Sequence, residues 1–208
     1  MTADWRSEWE SIKKYLPQYL SDPEQKELFE MLKDFENRST EYYSSNLSLE
    51  GIIKQGDGLY KMPFFTLPAT TVKNTPVLIF SNTCDISKDN RRNYSTNVMY
   101  APIIKLDTFK VMLNQKIGDD TKVNTIITAI VKQHKSDILY LPPSPGYSES
   151  GIVFLDSICS CRLDYFYEQL INLNSEKRLS LSQFGHYLFV LKLSIHFSRL
   201  GEGNCRTD

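Results

Sequence analysis

The chain has 208 residues, and its 41% of hydrophobic and 12% of aromatic residues exclude a largely disordered protein. Its 24 basic and 25 acidic residues give a net charge of −1, which excludes a global field that would attract nucleic acid or an anionic membrane. Any contact with nucleic acid must therefore come from a local patch on one folded domain with helical additions.

No apolar run approaches the roughly 20 residues that a membrane helix needs, and the N-terminus lacks the apolar stretch of a signal peptide. We therefore expect a cytoplasmic protein that makes no membrane contact. The cysteines are irregularly spaced and are expected to be reduced in that compartment: Cys84, Cys159, Cys161 and Cys205. A zinc site built from these thiols and a histidine would lack the paired spacing typical of structural zinc, so we expect no metal ion and no cofactor.

Two helices are predicted in the first part of the chain, which we interpret as an N-terminal helical extension over residues 1–48. The apolar face of the first helix recurs at steps of three and four and consists of Trp5, Trp9, Ile12 and Leu16. The second helix has Ser21 or Asp22 as its cap and Pro23 at its first position. Its buried face is predicted to consist of Leu28, Leu32 and Phe35. Residues 36–50 show no clear period and are predicted to form a connector.

Beyond this connector the composition changes to short β-branched and aromatic runs bounded by turn residues, a pattern typical of a small β structure. The predicted strands are Gly58–Thr66, Pro76–Ser81, Asn97–Ile104, Ile138–Leu141 and Gly151–Ile158. A helix capped by Asp119 or Asp120 is predicted before the fourth strand, with an apolar side that starts at Val123. A long amphipathic helix is predicted from Leu181 to Gly201, because its apolar residues step by three and four.

Six segments occur in an order that resembles one toxin family: GDGLYKMPFF, TPVLIFSN, VMYAPII, LYLPP, ESGIVFLDSICSCRLDYF and the closing helix. Over residues 56–198 the chain resembles the MazF/PemK (CcdB-like) family, whose members are small SH3-like β-barrels. The resemblance implies an α+β fold in which residues 49–200 form a small SH3-like β-barrel with an inserted helix and a long C-terminal helix. It also implies a protein that acts on or binds RNA, as an endoribonuclease toxin of a toxin–antitoxin or phage-defence system, with an antitoxin or other protein partner and a homodimeric assembly.

The sequence departs from the family at the positions that carry RNA cleavage. The family has an arginine before the strand proline and a threonine at the end of its P-I-T strand, and here Thr75 and Ile104 stand there. A threonine has no positive charge to stabilise a phosphoryl oxygen, and an isoleucine cannot transfer a proton. Lys73 is the nearest cation, and a later family arginine is replaced by Cys159 with Arg162 three residues on. The alternative is a non-catalytic nucleic-acid- or protein-binding module that kept the barrel and lost the toxin chemistry.

The segment NTCDIS follows the second predicted strand, where a barrel of this family would hold RNA. The predicted catalytic residues of a ribonuclease are Lys73, Cys84, Asp85 and Arg92. A cysteine-dependent hydrolase is an alternative, in which Cys84 and Asp85 act with His134 and must lie within hydrogen-bond reach of it. A structural strand end is another, in which the polar side chains bond the adjacent loop and Cys84 packs as a small hydrophobe.

The segment KDNRRNYSTN, residues 88–97, is the best local basic patch in the sequence. It combines positive charge with an aromatic face, which suits a phosphate backbone and an unstacked base. Together with a residue of the preceding turn, it supplies the predicted RNA-binding residues Asn82, Lys88, Arg91 and Tyr94. The alternative for this segment is an ordinary solvated loop.

Overall fold

A computed structural model describes residues 21–35, 37–45, 52–89 and 92–198 of the chain. Within these ranges the protein has an α+β structure with antiparallel sheets, and the predicted class is confirmed. The first predicted helix, which contains both tryptophans, lies outside the described residues.

Helices and strands are mixed along the chain. The helices in the described ranges are α1 (Asp22–Lys33), α2 (Thr83–Ile86), α3 (Leu106–Ile117), α4 (Asp120–Val131), α5 (Leu163–Asn172) and α6 (Gln183–Ser198), with a 3-10 turn at Ser39–Glu41. The strands there are β1 (Asp57–Thr66), β2 (Ala69–Ile79), β3 (Asn97–Pro102), β4 (Ile104–Lys105), β5 (Ile138–Leu141), β6 (Gly151–Phe154), β7 (Cys159–Arg162) and β8 (Lys177–Ser180).

The larger sheet has five strands in the order β7-β3-β2-β1-β8, and each neighbouring pair is antiparallel. β2 pairs with β3 only from Val77 to Ile79, whereas its pairing with β1 continues to the Thr66 and Ala69 pair at the turn. The outer halves of β1 and β2 therefore project beyond the sheet as a two-stranded ribbon. Residues at the base of this ribbon, from Tyr60 and Lys61 in β1 and from Asn74 and Thr75 in β2, border the cleft described below.

The smaller sheet has the strand order β4-β6-β5, and it shares one continuous segment with the larger sheet. β3 ends at Pro102 and β4 begins at Ile104, so residues 97–105 run through both sheets. Between them, the Ile103 amide donates a hydrogen bond to the Pro76 carbonyl at 2.8 Å. Strand pairing closes neither sheet into a barrel within the described ranges, so the predicted SH3-like barrel is not confirmed.

Two apolar cores lie on either side of the larger sheet, because successive side chains of a strand point to opposite faces. Val77 and Ile79 belong to the core that α5 covers with the buried ring of Phe166. Leu78, between them, belongs to the larger core that also contains side chains of the smaller sheet, α1 and α6. A register shift of one residue would exchange these two sets between the two cores.

Asp57 fixes the start of β1. Its carboxylate is fully buried and accepts hydrogen bonds from Ser180 Oγ at 2.6 Å and from the Lys54 amide at 2.8 Å. Lys177 Nζ lies 2.8 Å from the same carboxylate. Because Lys177 and Ser180 both belong to β8, Asp57 ties the two strands together and is a structural residue.

The N-terminal segment packs against the last helix and the edge of the larger sheet. Of the predicted buried face of α1, Leu28 and Phe35 are buried in the larger core, and the Leu32 side chain lies outside the described residues. Further along, Tyr43 forms an isolated antiparallel bridge with Leu181, next to β8. α1 and the segment after it thus share a core with the sheets.

Local sequence signals predicted several elements correctly. The predicted strand Ile138–Leu141 is β5. The helix before β5 was predicted to be capped by one of two aspartates, and Asp119 is the cap, because its carboxylate accepts a hydrogen bond from the Lys122 amide at 3.1 Å. α1 begins at Asp22, as its cap and proline predict.

Several predicted boundaries are wrong. The strand predicted over Pro76–Ser81 spans Ala69–Ile79, and the one predicted over Asn97–Ile104 is divided at Ile103 into β3 and β4. The strand predicted over Gly151–Ile158 ends at Phe154, and Cys159 begins a separate strand in the other sheet, because the chain turns between them. The closing helix begins at Gln183 and not at Leu181, because Leu181 pairs with the N-terminal segment.

Candidate functional site

A cleft of about 610 Å3 opens between the larger sheet and the smaller one. On one side it is bordered by β1, the middle of β2 and β8, and on the other by Ile103, Lys105 and the loop before β6. Its lining residues are Gly58, Leu59, Tyr60, Lys61, Asn74, Thr75, Pro76, Ile103, Lys105, Gly146, Tyr147, Ser148, Glu149, Arg178 and Leu179. The cleft is thus assembled from segments that are far apart in the sequence.

Positive charge enters the cleft from three strands. Lys61 comes from β1, Lys105 from β4 and Arg178 from β8. Lys61 Nζ lies 4.9 Å from the centroid of the Tyr60 ring, and Arg178 Cζ lies 4.7 Å from it. Cations at such distances are attracted by the negative face of an aromatic ring, so Tyr60 holds both side chains at the cleft.

Glu149 is the only carboxylate among the described residues that line the cleft. Its Oε2 atom lies 2.6 Å from Lys105 Nζ, and both side chains are more than half exposed, at 55% and 57%. Arg178 pairs at 3.2 Å with Glu176, which does not line the cleft. Within the described part of the chain no carboxylate lies within ion-pair distance of Lys61.

The loop before β6, residues 142–150, forms the opposite wall and presents Tyr147. The loop is held at its start by a 2.7 Å hydrogen bond from Tyr43 Oη to the Pro142 carbonyl. Gly151 then allows the ring to lie against β6, since a Cβ at this position would be 3.1 Å from Tyr147 Cε1 and 2.8 Å from Ile103 Cγ2. Burial, and secondly the charge of Glu149, raise the pKa of the Tyr147 phenol, so it stays a neutral hydrogen-bond donor at pH 7.

The two positions that the predicted resemblance aligns with catalytic residues of the toxin family lie at or next to this cleft. Thr75 lines it, and Ile104 lies between the lining residues Ile103 and Lys105. The three cations named above line the same cleft as Thr75. Among the described lining residues there is neither a histidine nor a cysteine. The cleft can hold an anion and an aromatic group, but its lining offers no conventional nucleophile–base pair.

The predicted polar cluster lies beyond the end of β2 and does not line this cleft. Asn82 caps the short helix α2, because its side-chain oxygen accepts a hydrogen bond from the Cys84 amide at 2.9 Å. Thr83 Oγ1 accepts one from the Gln55 amide at 3.0 Å. Cys84 itself is exposed and not packed in a core. Two of the polar side chains thus have local structural roles.

Three predicted site residues form a chain of contacts in which Arg92 lies between Asp85 and Tyr94. Arg92 forms an ion pair with Asp85, and its Nη1 atom lies 3.2 Å from Tyr94 Oη. Lys88, by contrast, places its Nζ 4.5 Å from the ring centroid of Tyr167 on α5. Arg91 lies outside the described residues. The structure therefore brings together Asp85, Arg92 and Tyr94.

A smaller concavity of about 230 Å3 lies next to this group and adds a second arginine. Arg92, Tyr94 and Arg162 line it, and Arg162 reaches it because β7 pairs Arg162 with Asn97 at the start of β3. Arg162 donates to both carboxylate oxygens of Asp164, at 3.1 and 2.6 Å. These hydrogen bonds hold the pKa of Asp164 below its ordinary value. Each arginine of the concavity is therefore paired with its own aspartate.

The remaining predicted catalytic residues lie elsewhere. Lys73 is exposed on the projecting ribbon, opposite Phe64 in the strand register, and lines neither cavity. His134 borders a shallow groove of about 600 Å3 along α4, together with Lys132. Cys84 is not among the residues that line that groove, so the groove gives no support to a cysteine-dependent hydrolase.

The chain matches no protein-family model and no curated protein. Over the described ranges, no helix has both the length and the apolar character needed to cross a membrane. The same ranges contain no group of three or more histidine, cysteine or acidic side chains that could hold a metal ion. The function is therefore argued from the chemistry of the cleft.

Proposed function

We propose that this protein binds single-stranded RNA in the cleft and does not cleave it. The observation that carries the proposal is the group formed by Tyr60, Lys61 and Arg178, in which two cations lie within contact distance of one aromatic ring at the cleft. Lysine and arginine neutralise the phosphates of a single strand, and tyrosine rings stack with its unpaired bases. Tyr147 supplies a second ring on the opposite wall.

The same cleft favours binding over cleavage. Cleavage of RNA needs a group that moves the 2′-hydroxyl proton and a group that stabilises the charge on phosphorus oxygens. The described lining has no histidine, and Thr75 and Ile104 stand where the MazF/PemK family has its catalytic arginine and threonine. The lining cations can hold phosphates, but among the described lining residues no histidine and no unpaired carboxylate is present to move the proton, because Glu149 is paired with Lys105.

The link to the MazF/PemK family, including its SH3-like barrel, belongs to this proposal. It is supported by the order of the strands along the chain and by the segment 97–105, which passes from one sheet into the other. In the same way, a cytoplasmic location, an antitoxin or other protein partner and a homodimer are proposals that the resemblance carries. The choice of RNA over DNA also comes from the resemblance, so DNA is the natural comparison in a binding test.

The test measures the affinity of the protein for a short unstructured RNA by fluorescence anisotropy at several salt concentrations. Arg178→Ala should weaken binding and reduce the slope of log affinity against log salt by about 0.7, because one phosphate contact with a single strand is lost. Tyr60→Ala should weaken binding by about 0.5–2 kcal/mol, because Lys61 and Arg178 lose the ring that holds them at the cleft. Lys116→Ala removes a cation of α3 that does not line the cleft and serves as the matched control. Equal effects of all three substitutions, or no binding, would contradict the proposal.

A ribonuclease is the second candidate, and the contact of Arg92 with both Asp85 and Tyr94 favours it. Incubating the wild type with the same RNA and analysing the products on a denaturing gel distinguishes the two candidates. Cleavage that Asp85→Ala or Cys84→Ala abolishes would replace the binding function by an enzymatic one in the turn next to the smaller concavity, whose lining residue Arg92 pairs with Asp85. RNA that stays intact supports the binding function.

A further inference from the structure

We propose that Glu149 competes with ligand phosphates for Lys105 and so sets the affinity of the cleft for anions. Its carboxylate pairs with Lys105, so a phosphate that binds this lysine must displace the carboxylate or tolerate its negative charge nearby. This inference rests on the proposed function, because it assumes that the cleft binds a phosphate-containing ligand. It makes Glu149 a specificity-determining residue that favours ligands of high negative charge density.

The geometry of the pair supports an exchange of partners. Glu149 and Lys105 are joined at 2.6 Å, yet both side chains are more than half exposed. Lys105 belongs to β4, where its backbone pairs with Gly151, whereas Glu149 belongs to the loop before β6. The lysine is thus held by a strand while its partner comes from a loop. Exposed pairs of this kind contribute little to stability, so a phosphate can displace the carboxylate at small cost.

The charges of the cleft make the competition effective. The described lining carries three positive side chains and one negative side chain, so Glu149 lowers its net charge to +2. A phosphate that binds Lys105 would also lie close to the Glu149 carboxylate unless that carboxylate moved away. Like charges at such distances repel each other, and the cost falls on any anion that cannot pull Lys105 from its partner.

A different role of Glu149 would have the opposite effect. Carboxylates in nucleic-acid sites also accept hydrogen bonds from base amino groups, and such a contact would strengthen binding. A third possibility is simple repulsion through space, which would not depend on Lys105. A double-mutant cycle with Lys105 separates these roles, because only direct competition requires the lysine.

The cycle uses the wild type, Glu149→Gln, Lys105→Ala and the double variant, with Glu168→Gln as an exposed carboxylate outside the cleft lining. Each protein is titrated with the short RNA and, in parallel, with inorganic tripolyphosphate as a probe that has no bases. Circular dichroism checks that every variant is folded. Glu149→Gln should tighten binding of both ligands by about twofold to fivefold, the range expected for release of an exposed ion pair. It should also steepen the salt dependence of RNA binding by about 0.7, for one more phosphate contact.

The same substitution in the Lys105→Ala background should change affinity very little. Weaker binding by Glu149→Gln would overturn the inference in favour of a base contact, and an equal gain in both backgrounds would overturn it in favour of repulsion through space. Competition seen with tripolyphosphate but no RNA binding would overturn only the proposed function. Absence of binding to both ligands would overturn the two proposals together.

Discussion

Two lysine–carboxylate pairs of this protein have nearly the same geometry and opposite surroundings. At the start of β1, Lys177 lies 2.8 Å from Asp57, with side chains that are 12% and 0% exposed. In the cleft, Lys105 lies 2.6 Å from Glu149, with side chains that are 57% and 55% exposed. Burial makes the first pair part of the fold, since separating its charges would leave one of them unpaired away from water. Exposure leaves the second pair available for exchange with a ligand.

One strand contributes to both regions. Lys177 and Arg178 are neighbours in β8, where the register with β1 shifts and leaves Arg178 as the extra residue between the paired residues Lys177 and Leu179. Lys177 reaches the buried Asp57, while Arg178 lines the cleft and lies over the Tyr60 ring. Through Lys177 the short strand β8 thus holds the start of β1, and through Arg178 it adds a positive charge to the cleft.

Breaking the buried pair should have the largest effect on stability. Asp57→Ala removes the acceptor of Ser180 and of the Lys54 amide and leaves Lys177 without its buried partner. We expect a loss of about 3–5 kcal/mol in the free energy of unfolding, measured by urea denaturation. Asp156→Ala, at an exposed position, is the control and should stay within about 0.5 kcal/mol of the wild type. If Asp57→Ala lowered the free energy of unfolding as little as the control does, burial would not make the Asp57–Lys177 pair more important for stability than the exposed pair.

Changing the wall of the cleft should have an intermediate effect. In Gly151→Ala the new Cβ would lie 2.8 Å from Ile103 Cγ2 and 3.1 Å from Tyr147 Cε1, so one of these side chains must move. Overpacking of this kind costs about 1–3 kcal/mol. We expect this loss in urea denaturation together with a change in the near-ultraviolet circular dichroism of tyrosine and weaker RNA binding. Ser148→Ala, at an exposed position of the same loop, should leave the free energy of unfolding and the circular dichroism unchanged.

The structural region was easier to predict from the sequence than the cleft. Local signals identified the strand over residues 58–66 and the helix capped by Asp119, because each depends on neighbouring residues. α3 and α5 were missed because each follows a strand directly, and the cap positions Lys105 and Arg162 form no side-chain cap hydrogen bond. β8 was missed because it is four residues long and begins with two cations.

The candidate site residues also differ in how well the sequence could predict them. Asp85, Arg92 and Tyr94 lie within ten residues, so a local reading of charge and aromatic content could propose them, and the ion pair of Asp85 with Arg92 brings them together. Lys61 and Arg178 are far apart in the sequence and meet only through the pairing of β1 with β8. Their one local signal was the succession of aromatic and basic residues at the start of β1. No pattern within one segment could predict a cleft whose positive side chains come from three different strands.

The smallest change in stability should come from breaking the exposed pair, and it completes the comparison. Lys105→Ala and Glu149→Gln should each change the free energy of unfolding by less than about 1 kcal/mol in urea denaturation, because both charged groups remain hydrated after the partner is removed. Added salt should reduce even this difference, since exposed charges are screened. A loss comparable to that of Asp57→Ala would show that the cleft pair holds the fold together. In that case Glu149 could not release Lys105 to a phosphate without local unfolding, and the competition inferred for the cleft would lose its physical basis.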